Sequence, residues 1–309
     1  MKKIYYIFVV LAALLVFSSW LVKSTERNIR LQKALPSEKS SEKTTARKLK
    51  VVASGYVPYD LARSIGGDKI ELTQLIPAGA EPHHFEPTPG DIISVSGADL
   101  FVYISEELEP WASDILKGLS HTQSVEIAPV LQGEDPHVWI APYGALALAQ
   151  RLAEAFSKQD PINKAYYKEN LKKFEQEMKA LHQAFKKGLA SCQNYEMIHM
   201  GHLAFAALAD TYGINLHALA GTSHQNEHSV KKLTDLVKMI KEHQITAIFT
   251  EEMIAPDLAD TVSLETGVKI LPLYTIHGVS KRDFEKGTTY IEFMQQNLQH
   301  LQEGLVCRP

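Results

Sequence analysis

From Asp160 to Gly188 the chain carries one continuous helical pattern, and this stretch limits the possible folds more than any other. Asp160 and Pro161 read as a helix start, an acidic cap followed by proline at the first helical position. Ile162, Tyr166, Leu171, Phe174, Met178, Leu181 and Phe185 then recur every three to five residues until Gly188 ends the run. A helix from Pro161 would be roughly 42 Å long, enough to cross two lobes. The stripe is too irregular for a heptad seam, which disfavours a coiled-coil partner.

The flanks of this helix repeat one pattern. Before it, strands are predicted at 49–54, 71–76, 99–104 and 125–128, with helices at 59–65, from Pro110 and at 143–156. After it, strands are predicted at 195–200, 245–250 and 268–273, with helices at 204–212, 229–243, 256–266 and 290–301. Strands alternating with helices imply parallel βαβ units. The expected fold is α/β: two Rossmann-like lobes, 49–158 and 191–309, joined by one long rigid helix within 159–190.

The amino terminus stands apart from that fold. Lys2 and Lys3 precede an apolar run from Ile4 to Val22 that is broken only by Ser18 and Ser19. Residues 1–24 therefore read as a signal sequence or a membrane anchor, with no cysteine following for a lipoprotein attachment. Residues 25–48 are polar and aperiodic, a tether rather than a folding unit. Either form of the address puts the body outside the cytoplasm. There, Cys192 and Cys307 can form one disulfide, against the alternative of two free thiols.

Charge follows the same division. Residues 1–48 hold 10 basic and 3 acidic side chains, net +7, which leaves 22 basic and 33 acidic in the body, net −11. An acidic body argues against nucleic-acid binding and suits a cation. Thirteen histidines are also present. His182, His243, His300 and His121 are expected on solvated surfaces. The others of interest fall just beyond strands: His83 or His84 after the second, His137 after the fourth, His199 or His202 after the fifth, and His277 after the last. Open α/β sheets bind ligands outside the carboxyl ends of their strands, so four histidine loops would converge on the cleft. Neutral imidazoles there suit zinc, copper, iron or nickel.

Pro82-His83-His84-Phe85-Glu86-Pro87-Thr88-Pro89, Asp135-Pro136-His137-Val138-Trp139 and His202-Leu203-Ala204-Phe205 resemble motifs of the metal-binding receptors of bacterial zinc and manganese ABC importers. Leu108-Glu109-Pro110-Trp111 and Phe249-Thr250-Glu251-Glu252 agree. The similarity runs from about Leu49 to the end. It implies a metal between two lobes held by His83, His137 and His202, with His84 at a variable position. The family's fourth ligand is a carboxylate or water, and here His277 stands at that place. That departure favours Zn2+ over Mn2+, because a carboxylate accompanies manganese in part of the family. The acid- and histidine-rich loop common in zinc members is missing. Glu86 is expected to orient a ligand or cap a turn. Glu251 and Glu252 either support the ligands, add a fifth ligand or a base, or lie plainly at a strand end. His224 and His228 are not expected among the ligands and would at most form a weak peripheral metal site.

The expectation is thus an extracytoplasmic, monomeric zinc receptor that serves a membrane permease and is not an enzyme. Its competitors are a manganese receptor of the same family and a zinc hydrolase that uses Glu251 or Glu252 as base.

Overall fold

The computed structural model describes residues 47–80, 82, 85–119, 122–128, 136–221, 230–251 and 257–308. The apolar run and most of the tether lie outside them, as do His83, His84, His121, His224, His228 and Glu252. Leu49–Ala53 forms β1, whose Val51, Val52 and Ala53 are buried, as a strand covered on both faces requires. Helix α1 (Tyr56–Gly66) and β2 (Ile70–Gln74) follow. Next come α2 (Pro89–Ser96), β3 (Leu100–Tyr103), α3 (Pro110–Lys117) and β4 (Gln123–Glu126). A 3-10 turn at Val138–Ile140 leads into α4 (Pro142–Gln159), which packs along the long helix α5 (Lys164–Gly188). The second half holds β5 (Glu196–His199), α6 (Ala206–Tyr212), β6 (Asn215–Ala218) and α7 (Val230–Glu242). It closes with β7 (Ala247–Glu251), α8 (Asp257–Thr266), β8 (Lys269–Leu273), α9 (Lys281–Lys286) and α10 (Tyr290–Gly304).

The two sheets share one topology. Their strand orders are β2-β1-β3-β4 and β6-β5-β7-β8, and every pairing is parallel. In each lobe the winding reverses between the first and third strands, which leaves a crevice at their carboxyl ends. That crevice is where β5 delivers His199 and β7 delivers Glu251. The fold is the expected α/β architecture of two parallel-sheet lobes.

Helix α5 differs in detail from its sequence pattern. Pro161–Asn163 is a 3-10 turn, and the α-helix begins at Lys164. The Asp160 carboxylate makes no cap; it accepts from Tyr167 Oη and Asn163 Nδ2, both at 2.7 Å. Ile162 is therefore left 85% exposed, and Tyr167 rather than Tyr166 joins Phe174, Met178, Leu181 and Phe185 on the buried face. At roughly 37 Å the helix still spans both lobes.

One hydrophobic core runs through both halves. It joins Leu49, Leu61 and Trp139 to Phe185, Phe249, Tyr290 and Leu305 without a break. At the far end Cys192 and Cys307 meet across an isolated antiparallel bridge. Among the described residues no helix is long and apolar enough to cross a membrane.

Candidate metal centre

Three histidines that are distant in sequence meet in one buried place. One ring nitrogen each from His137, His202 and His277 lie within 4.8 Å of one another, and all three side chains are buried. His137 Nε2 and His202 Nε2 face each other at 3.1 Å. That is close to the roughly 3.3 Å edge of a tetrahedron whose Zn–N bonds are about 2.0–2.1 Å. The ring centroids lie 4.8, 5.8 and 5.6 Å apart at steep interplanar angles, so the imidazoles converge edge-on instead of stacking.

Each ring is held by its own local structure. His202 follows β5 across Gly201, and the Glu251 carboxylate at the end of β7 reaches over to meet it. Glu251 Oε1 accepts from the His202 backbone N–H and from its Nδ1, both at 2.7 Å. Assigning the Nδ1 proton to that bond leaves the Nε2 lone pair directed toward His137. Glycine at 201 lets Glu251 come this close, because a Cβ there would lie 2.0 Å from Glu251 Oε1 and 2.8 Å from His199 Cε1 and would make them shift. His199 stands outside the cluster. Its Nδ1 donates to the His202 carbonyl at 3.1 Å, so it shapes the turn.

His137 precedes the 3-10 turn, and its ring packs edge-on against Trp139 at 5.1 Å. His277 follows Ile276, a buried residue with φ of +65°, a conformation that β-branched side chains rarely adopt. That turn is tied from several sides. Buried Asn297 on α10 accepts from Tyr274 N–H at 2.7 Å and donates to its carbonyl at 2.9 Å. Across the cleft, Gly79 N–H donates to the Val279 carbonyl at 2.8 Å. The His277 turn is thereby joined to the first lobe at residues 77–80.

The space between these side chains is small. A cavity of about 20 Å3 is lined by Gly55, Pro82, Ile104, Leu108, Glu109, His137, Trp139 and His277, room for about one water-sized species. Glu109 is the residue that sequence reading did not single out. Burial pushes its carboxyl up to about 7, only partly offset by the Ile104 N–H that donates to it at 2.5 Å. Its position just past β3, at the first lobe's own switch point, was the available signal. Glu86 is exposed. His300 and His182 are less solvated than expected: His300 donates from Nδ1 to the Pro272 carbonyl at 2.6 Å, and half-buried His182 stacks between Tyr143 and Tyr212.

Comparison with known proteins gives the chain its relatives. Residues 51–304 match the family described as zinc-uptake complex component A, periplasmic. The high-affinity zinc uptake system protein ZnuA of Bacillus subtilis is 33% identical over 295 residues, covering 88% of this chain and 92% of that protein. The zinc-binding lipoprotein AdcA of Streptococcus pneumoniae is 30% identical over 298 residues, covering 87% of this chain; the match spans 59% of AdcA. The crystal structure of that protein's Zn(II)-bound ZnuA-like domain superposes with a TM-score of 0.75 at 30% identity, covering 84% of this chain and 99% of the domain.

Proposed function

Because the chain belongs to the zinc-uptake complex component A family, we propose that it is an extracytoplasmic receptor that captures Zn2+ and hands it to the membrane permease of an ABC importer. The observation that carries this reading is the buried convergence of His137, His202 and His277 at the cleft. Convergent buried imidazoles suit a borderline-soft ion such as zinc. His83 is the proposed remaining ligand beside these three; it lies outside the described residues and is assigned through its motif. Cys192 and Cys307 form the proposed disulfide of the mature protein, which acts as a monomer.

Capture replaces the waters of the ion with imidazole nitrogens. His202 is pre-oriented by Glu251, so no proton has to move between its two nitrogens when zinc arrives. Acid opposes capture, since protons and the metal compete for the same lone pairs. Glu251 is engaged with His202 through Oε1, which suits an orienting carboxylate better than a hydrolytic base.

The test is metal analysis of the purified full-length chain with zinc and manganese in competition. One zinc per chain, displaced by neither equimolar nor tenfold manganese and lost in His137→Ala and His202→Ala, is the expected result. Manganese held in preference to zinc would overturn the assignment.

A further inference from the structure

We propose that Trp139 is a positioning residue: its indole fixes the separation of the His137 and His277 loops, and with it the preference of the site for a small four-coordinate cation. The proposal rests on the zinc-receptor reading and adds to it the part that sets the dimensions of the site.

Trp139 comes two residues after His137 and is fully buried. Its Nε1–H crosses the cleft and donates at 2.8 Å to the carbonyl of Thr275, two residues before His277. One rigid, planar side chain therefore links the loops of two proposed ligands that lie on different lobes. The other end of Trp139 is pinned as well. Its carbonyl accepts from Tyr290 Oη at 2.6 Å, and Tyr290 N–H donates at 2.9 Å to Asp60 Oδ2 on α1. Asp60 is in turn paired with Arg63.

Neither loop has room to adjust around this link. The 3-10 turn that carries Trp139 lies against the start of α4 so closely that a Cβ on Gly144 would be 1.9 Å from the Val138 carbonyl oxygen. On the other side, Gly278 packs against Ala80 and Pro82, where a Cβ would stand 3.3 Å from both, and Ile276 is committed to positive φ. The distance between His137 and His277 is thus set by the protein before any ion arrives. Zinc is satisfied by four ligands, whereas manganese seeks six and brings oxygen ligands or water with it. A fixed separation of His137 and His277 suits the first and opposes the expansion that the second requires.

The experiment is Trp139→Phe in the full-length chain, purified in detergent beside the wild type. The variant keeps a ring against His137 and removes the N–H. Expected are a roughly 10–100-fold loss of zinc affinity, the range typical when a residue that supports a ligand is altered, and a narrowed zinc-to-manganese ratio. With Co2+ as the probe, the intense visible bands of four-coordination should weaken, which a general loss of stability would not produce. Unchanged affinity, ratio and Co2+ spectrum would overturn the proposal while leaving zinc capture intact. A wild-type chain that fails to bind zinc would instead bring down the receptor reading, and this inference with it. Should the variant not fold, exchange of the Trp139 indole proton in the wild type decides the matter. Slow exchange with and without zinc is expected, and rapid exchange in the metal-free protein overturns the claim.

Discussion

At the scale of single residues, the site depends on a glycine as much as on its histidines. Gly201→Ala would place a methyl carbon 2.0 Å from Glu251 Oε1 and force that carboxylate away from His202. The imidazole would lose the acceptor that holds its Nδ1 proton, so zinc affinity is expected to fall roughly 10–100-fold. Titration against a zinc chelator reads this directly, and an affinity equal to wild type would show that Glu251 does not orient the ring. Glu109 gives a second test, through pH. Its folded value of about 7 lies above the ordinary 4.5. Below 4.5 the group is protonated in both states and costs nothing. As pH rises the unfolded chain ionises first, stability falls, and the loss is complete above about 7. That loss is worth about 3 kcal/mol. Urea unfolding of the metal-free protein should show Glu109→Gln gaining by that amount on wild type between pH 4.5 and 8; parallel pH profiles would refute it. The histidines could be read from sequence because each follows a strand. Gly201, Glu109 and Asn297 could not, because their roles rest on close approaches between segments far apart in the chain, which no local pattern records.

Among the elements, the long helix α5 announced itself through periodicity, and its buried stripe shows why. Tyr167, Phe174, Met178, Leu181 and Phe185 are at most 4% exposed, so the spacing was written by the core. Met178→Ala should cost about 2–5 kcal/mol in urea unfolding, the usual range for an emptied core methionine. A cost below about 1 kcal/mol would mean that the helix rests on its neighbours without packing into them. Three short elements escaped the sequence pattern for three reasons. Strand β6 is an edge of only Asn215–Ala218, with His217 bound to Glu196 instead of an alternating apolar run. Helix α2 leaves Ile92 and Ile93 exposed and has no apolar stripe, yet its capping box of Thr88 and Asp91 was present to be read. Helix α9 is six residues long, held by the Ser280 cap and closed by Gly287 in the left-handed region. Of the three, only β6 is tied down by a distant partner, Glu196, which local propensity does not record.

For the whole molecule the question is how two lobes release what they hold. Two similar sheets around a cleft suggest a hinge, but the shared core and the cross-lobe bonds of Trp139, Tyr290 and Gly79 oppose wide opening. The proposed Cys192–Cys307 disulfide would add a further tie, since it would close a loop of 115 residues that contains the entire second lobe. Replacing both cysteines with serine should lower stability by about 2–4 kcal/mol, chiefly through the entropy of the unfolded chain. Zinc affinity should be unchanged, because neither cysteine belongs to the histidine cluster. A rigid frame of this kind predicts that zinc leaves both the overall dimensions and the turn that carries His277 alone. The radius of gyration in solution scattering should therefore be the same with and without zinc, and amide exchange at 274–279 should be slow in both states. A contraction on binding would mean that the lobes swing and that the cross-lobe bonds form only around the ion. Constant dimensions with slow exchange in both states would place release outside the frame that joins His137 to His277, since neither the lobes nor that turn would then have to move.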